Sequence, residues 1–251
     1  MRIVPVIDLM GGCVVRGVGG RRHEYQPIRS VLTDRTDPAS LARAFVELGL
    51  PQAYVADLDA IAGAEPDWEA YGRMAECGSE LWIDAGLADG ERAWRMASFA
   101  ACGARLPGIV AGLESLTSTE LLAEILQAVG PARLIFSLDL KMGEPIVRAP
   151  QWQGSSAAQV ASAAIDLGVR RLIVLDLAGV GMGQGVSTLG LCRELRDANP
   201  DLEIIAGGGV RGWDDLRALQ AAGCSAALVA SALHDGRIGR LWGPGGELKS
   251  T

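Results

Sequence analysis

Eight short apolar runs recur along the chain: IVPVID (3–8), AYVADLD (53–59), LWIDAG (81–86), GIVAG (108–112), LIFSLD (134–139), LIVLDL (172–177), IIAGGG (204–209) and AALVAS (226–231). Each is shorter than an ordinary helix, rich in Ile, Val and Leu, and continuous. That pattern suits strands buried on both faces of a parallel sheet. Helical patterns lie between them. Asp37 is placed to cap the first and Pro38 to fill its first turn, with Gly49 as its stop. DWEAYGRMAECG, DGERAWRMASFAACG, SLTSTELLAEILQAVG, SSAAQVASAAIDLG, STLGLCRELRDANP and GWDDLRALQAAG follow, several ending at a glycine. Strand and helix thus alternate eight times over about 230 residues. This predicts the α/β class and a (β/α)8 TIM barrel, usually about 250 residues long. A doubly wound open sheet fits less well, because no Gly-x-Gly-x-x-Gly follows the first strand.

A second periodicity points to closure. VIDL (6–9) resembles SLDL (137–140), VADL (55–58) resembles VLDL (174–177), IDAGLADG (83–90) resembles AGGGVRGW (206–213), and VAGLE (110–114) loosely matches VASAL (229–233), at offsets of 119 to 131 residues. No linker separates the halves. The expectation is one domain over 1–251, made of half-barrels at approximately 1–115 and 116–251.

Composition narrows the partners. The net charge is −7 and no basic run exceeds GRR at 20–22, which argues against nucleic acid and anionic membranes. The apolar runs are far shorter than the roughly 20 residues of a spanning helix, and MRIVPVID lacks a secretory signal pattern. The five cysteines are scattered without a CxxC, as expected of reduced thiols in a cytoplasmic protein. With His23 and His234 the only histidines, no metal site is expected.

In such barrels the chemistry gathers at the C-terminal strand ends. Asp8 ends strand 1 and Asp139 ends strand 5, on opposite walls of one mouth, where paired carboxylates suit a general base and a general acid. The alternative for each is a loop cap. Asp57 and Asp176 form a second equivalent pair, with Asp59 nearby. Pairing to basic neighbours is the stronger reading for these, although Asp176 is kept as a candidate substrate contact. Gly207, Gly208 and Gly209 end strand 7 before a helix, and VAS (229–231) ends strand 8, the usual phosphate position of the fold. The loop after strand 6, AGVGMGQG, adds Gly185. DAGLADG, with Gly86, and VAGLES, with Gly112, are a worn copy in the first half.

The stretches VPVIDLMGGCVVRG, VADLDAIAG, FSLDL, AGGGVRGWDDLRAL and ALVASALHDG resemble the HisA/HisF family of histidine-biosynthesis barrels over nearly the whole chain, most closely the isomerase branch. The resemblance implies an Amadori rearrangement of a phosphorylated aminoaldose into an aminoketose without a cofactor, with Asp8 as general base and Asp139 as general acid. It further implies one phosphate at Gly208, Gly209, Ala230 and Ser231, a second at Gly86 and Gly112, an arginine after strand 1 at Arg16, and a substrate-covering tryptophan at Trp152. The expected partner is a small phosphorylated metabolite. The oligomeric state is open, and a monomer is compatible.

The sequence also departs from the family pattern. Leu87 and Ala88 stand where Ile and Arg are usual after strand 3. Leu175, Val180 and Met182 replace Thr, Asp and Thr after strand 6, and Gly11 falls where an aspartate is common. The expectation is a divergent paralogue whose substrate differs. The alternatives are a lyase or synthase on another phosphorylated metabolite of a cofactor pathway, and a non-catalytic phosphometabolite-binding subunit.

Overall fold

The structure, a computed structural model, describes residues 1–239, so 240–251 of the expected domain lie outside the described residues. The eight apolar runs become the strands β1 (Arg2–Met10), β2 (Gln52–Asp57), β3 (Glu80–Asp84), β4 (Gly108–Gly112), β5 (Leu134–Lys141), β6 (Arg171–Asp176), β7 (Glu203–Gly207) and β8 (Ala226–Val229). Each pairs in parallel with its sequence neighbours, and β8 returns to β1 with Arg2 opposite Ala226 and Pro5 opposite Val229. The sheet is a closed (β/α)8 barrel.

The helices that cover it are α1 (Pro38–Glu47), α2 (Trp68–Glu76), α3 (Gly90–Ser98), α4 (Thr119–Val129), α5 (Ala157–Asp166), α6 (Leu189–Ala198), α7 (Trp213–Ala221) and the single turn α8 (Ser231–His234). Side-chain caps set where most begin. Asp37 accepts from Ser40 N, Asp67 from Ala70 N, Asp89 from Arg92 N and Ser118 from Leu121 N, while Ser156 and Gln159 form a reciprocal capping box.

Apolar side chains fill two regions. One lies between the sheet and the helices. The other, inside the barrel, contains Val4, Tyr54, Trp82, Val110, Ile135, Ile173, Ile205 and Leu228. Trp82 plugs the lower barrel. A Cβ on Gly108 would lie 2.5 Å from its indole, so this close approach requires glycine there. Arg2 and Arg171 pack over the same ring, and both pair with Glu203.

The continuous-run pattern did not reveal the hairpin that extends β1. Cys13–Arg16 folds back antiparallel on it through Gly11 and Gly12, both at positive φ (58° and 73°), as a tight hairpin turn demands. The carboxylate of Asp59 accepts from Gly11 N at 2.6 Å and fixes this turn. The chain then runs across the barrel mouth through residues 17–25. It is tied on one side by Gly19 N to Val180 O at 2.7 Å and on the other by an ion pair from Arg22 to Glu114.

Candidate active site

At the C-terminal end of the barrel lies a cavity of about 450 Å³, the size of a small-metabolite site. Asp8, Asp139, Arg16, Gly208, Gly209, Ala230 and Ser231 line it, so seven sequence-derived candidates converge on one space.

The carboxylates occupy a protected floor. Asp139 is 5% exposed; its Oδ1 accepts from Ser137 Oγ at 2.7 Å and its Oδ2 lies 3.4 Å from Glu114 N. Burial pushes its pKa up to about 8, helped by the neighbouring Asp84 charge. Burial likewise raises Asp8 to about 7, with Arg22 and the Gly17 backbone pulling the other way. Desolvation favours the neutral carboxyl. Both groups therefore titrate near neutrality, where a proton-transfer pair operates best.

The opposite rim is cationic. Arg16 makes a bidentate pair with Asp235 at 2.9 and 3.0 Å, and Arg237 holds the same carboxylate at 3.0 Å. One aspartate thus fixes two guanidiniums beside Gly208, Gly209 and Ser231. His234 lies behind them with Nδ1 3.0 Å from Ser30 Oγ. Burial, aided by Arg16, lowers its pKa to about 4, which keeps it neutral.

The glycine triplet has a structural reason. Gly208 and Gly209 sit at φ +84° and +96°. A Cβ on Gly208 would lie 2.7 Å from Asp176 O, and one on Gly209 would lie 2.4 Å from Gly185 O. Backbone packing alone therefore forbids side chains here. Gly185 lies behind this loop, with its carbonyl packed against Gly209, and is not among the residues that line the cavity.

Four further residues lie elsewhere than expected. The Asp176 carboxylate is occupied by Met142 N, Gly143 N, Ala178 N and Ser187 Oγ at 2.9–3.3 Å, so it organises loops and does not line this cavity. Asp57 does the same for Ala60 N, Asp67 N and Tyr71 Oη. The partners of this equivalent pair are backbone N–H groups and hydroxyls, not the basic side chains expected. Trp152 is buried to 3% against Phe136, with ring centroids 6.0 Å apart, and does not cover the cavity in this conformation. Gly86 is buried, and Gly112 sits beneath Asp139 and Asp84, its would-be Cβ 3.2 and 3.3 Å from their Oδ2 atoms. Neither Gly86 nor Gly112 lines the cavity.

The structure adds residues the sequence reading passed over: Tyr54, Asp84, Glu114, Arg22 and Arg237. Asp84 is the last residue of β3 and Asp8 stands near the end of β1, a signal available in LWIDAG. Its comparison with Gly207 drew attention to the missing glycine instead of the carboxylate gained. Asp84 is 6% exposed, accepts from Gly86 N at 3.1 Å and from Tyr54 Oη at 3.4 Å, and is raised by burial to about 7. Among the described residues, no three His, Cys, Asp or Glu side chains are grouped to hold a metal ion, and no helix is long and apolar enough to cross a membrane.

These shifts make stability depend on pH. The unfolded chain releases carboxyl protons near pH 4, whereas Asp8, Asp84 and Asp139 keep theirs to about 7, 7 and 8. In that range the native state binds more protons than the unfolded one, so stability falls as pH rises. The depressed His234 works in the opposite direction, but only between about 4 and its unfolded value near 6.5. From about pH 6.5 to 8 His234 no longer contributes, and the three carboxyls set the direction. The thermal midpoint of the ligand-free protein should fall across that window, and Asp139→Asn should reduce the fall. A midpoint that rises there would contradict the burial-driven shifts.

Comparison with known proteins places this geometry in context. The model of a family described as histidine biosynthesis protein matches residues 2–239. The chain is 36% identical over 245 residues to the 1-(5-phosphoribosyl)-5-((5-phosphoribosylamino)methylideneamino) imidazole-4-carboxamide isomerase of Thermus thermophilus, covering 95% of this chain and 96% of the relative. It is 30% identical to the isomerase of the same name from Syntrophomonas wolfei, covering 95% of each. It is also 29% identical to an uncharacterised protein of Methanocaldococcus jannaschii, covering 94% of each.

Proposed function

The chain belongs to the histidine biosynthesis protein family, and from that membership and the cavity we propose that it is an intramolecular aldose–ketose isomerase of a phosphorylated ribosylamine. The observation that carries this reading is the pair of carboxyls, half-buried Asp8 and buried Asp139, with pKa values raised to about 7 and 8 in one cavity that has a cationic, glycine-lined rim. The relatives named as isomerases give the reaction class.

The roles are those the family resemblance implies, and the raised pKa values of both carboxyls suit them. Asp139, protonated below about 8, donates to the ring oxygen of the sugar. The C1–O bond breaks, and the lone pair of the amine nitrogen forms a C1=N iminium. Asp8, ionised above about 7, removes the C2 proton. The C2–H electrons form a C1=C2 bond as the C1=N pair returns to nitrogen, giving an enaminol, which gains a proton at C1 and loses one from its C2 hydroxyl to give the ketose. No redox partner is required. Gly208, Gly209, Ala230 and Ser231, with Arg16 and Arg237 beside them, hold the phosphate and set the sugar over the carboxyls. Activity should be highest between about pH 7 and 8, where base and acid hold their working forms together.

The test is incubation of the purified protein with an N-(5-phosphoribosyl)amine, followed by proton NMR. Loss of the anomeric signal with appearance of a C1 methylene is the expected result. Release of free amine or a new carbon–carbon bond would instead identify a lyase or synthase.

A further inference from the structure

The proposed isomerase reading leaves open what the far end of the substrate carries, and the two ends of the cavity differ in a way that answers this. The relatives' name specifies two phosphoribosyl groups, so their substrate has two phosphates. In this chain the loops after β7 and β8 are open: Gly208, Gly209, Ala230 and Ser231 are all partly exposed. The corresponding positions after β3 and β4 are shut. Ala85, Gly86, Ala111 and Gly112 are all buried.

Two changes between the halves, at three positions, accompany the closure. After β7, Arg211 and Asp215 pair with each other through Nε and Nη2 at 2.9 and 2.7 Å, outside the loop. After β3, the matching positions hold Ala88 and Arg92. Without an acidic partner, Arg92 turns inward. Its Nη1 donates to Ala60 O, Ala85 O and Gly86 O at 2.8–3.3 Å, and its Nη2 to Ala64 O at 2.9 Å. The loop therefore offers carbonyl oxygens to its own arginine rather than N–H groups to a ligand. The second change is Asp84, which places a carboxylate where β7 has Gly207. Gly86 N, the group that would meet an anion, is donated to Asp84 Oδ1. An arriving phosphate would face Asp84 and Glu114.

We propose that Asp84 and Arg92 are specificity determinants that abolish the second phosphate position, so that the substrate carries a single phosphate, held after β7 and β8, and presents a hydrogen-bond-donating, non-anionic group to the β3 end. The inference rests on the isomerase reading for the position of the first phosphate and on the Arg92 and Asp84 contacts for the exclusion of a second.

Crystals of the unaltered protein equilibrated with inorganic phosphate provide the test, alongside the variant Asp84→Gly/Ala88→Arg/Arg92→Asp, which gives the first half the pattern of the second. The unaltered protein is expected to show phosphate at Gly208–Ser231 and none at Ala85–Gly112, and the variant to gain the second ion. Phosphate at Ala85–Gly112 in the unaltered protein overturns the proposal. So does a variant that folds, by thermal unfolding, yet gains no ion. The unaltered protein decides the matter if the variant does not fold. Absence of phosphate from both ends would refute the phosphate grip of the functional reading itself, a result distinct from a second occupied site.

Discussion

Asp139→Asn and Asp8→Asn are each expected to fold to the same barrel and to lose roughly 10²- to 10⁴-fold in turnover, the usual contribution of a positioned acid or base. The amide keeps the shape of the carboxyl and removes only its ability to exchange a proton. Structure offers a way to separate this from damage. Both carboxyls are held above their ordinary range by burial, so ionising them opposes folding. An asparagine at either position removes that opposition. Near pH 8 both variants should therefore be at least as stable as the unaltered protein while being nearly inactive. Reduced stability together with reduced turnover would point to a structural role for the carboxylates, and activity near the parent level would leave them only as loop partners. Purified variants assayed side by side for turnover and thermal midpoint decide between these outcomes.

The second large effect concerns the histidine-pathway substrate that the relatives' name specifies. The chain is expected to rescue growth poorly or not at all in a strain lacking that isomerase. Charge-assisted hydrogen bonds contribute roughly 1.5–3 kcal/mol each, about one to two decades in affinity or rate per contact. Here the first-half phosphate position has lost an arginine at Ala88, its loop carbonyls are taken by Arg92, and Asp84 adds a carboxylate. At the β6 end, Leu175 and Val180 line the cavity where the family pattern places Thr and Asp, which removes polar contacts to the sugar. Full rescue, with ordinary efficiency of the purified protein, would mean that these departures do not alter the substrate.

Much of the barrel was legible because its signal is local. Continuous apolar runs such as GIVAG and LIFSLD, bounded by capped helices, can be buried on both faces only in a covered parallel sheet, and the observed strands shift from the runs by a few residues at most. The strand-end carboxylates Asp8 and Asp139 and the glycines after β7 were also legible, since position in the barrel implies a shared mouth. Contacts set by side-chain direction were not. Nothing in the spacing shows that Asp176 points toward Met142 N and Gly143 N, that Trp152 packs on Phe136, or that Arg92 turns into its own loop. Asp84 was legible as a strand-end acid. It was missed because its place in the half-repeat was weighed only as a lost glycine. The triplet teaches the same lesson in reverse: Gly208 and Gly209 are demanded by contacts of 2.7 and 2.4 Å with backbone oxygens, so the residue type alone does not report a ligand.

The decisive step is removal by Asp8 of the C2 proton of a sugar whose ring Asp139 has opened. It is tested most directly by running the isomerisation in deuterium oxide and following the isotope by NMR. The unaltered protein should place deuterium at C1 of the ketose as the C2 proton is lost, and Asp8→Asn should leave the C2 proton in place over the same interval. Loss of the C2 proton at the parent rate in Asp8→Asn would contradict it.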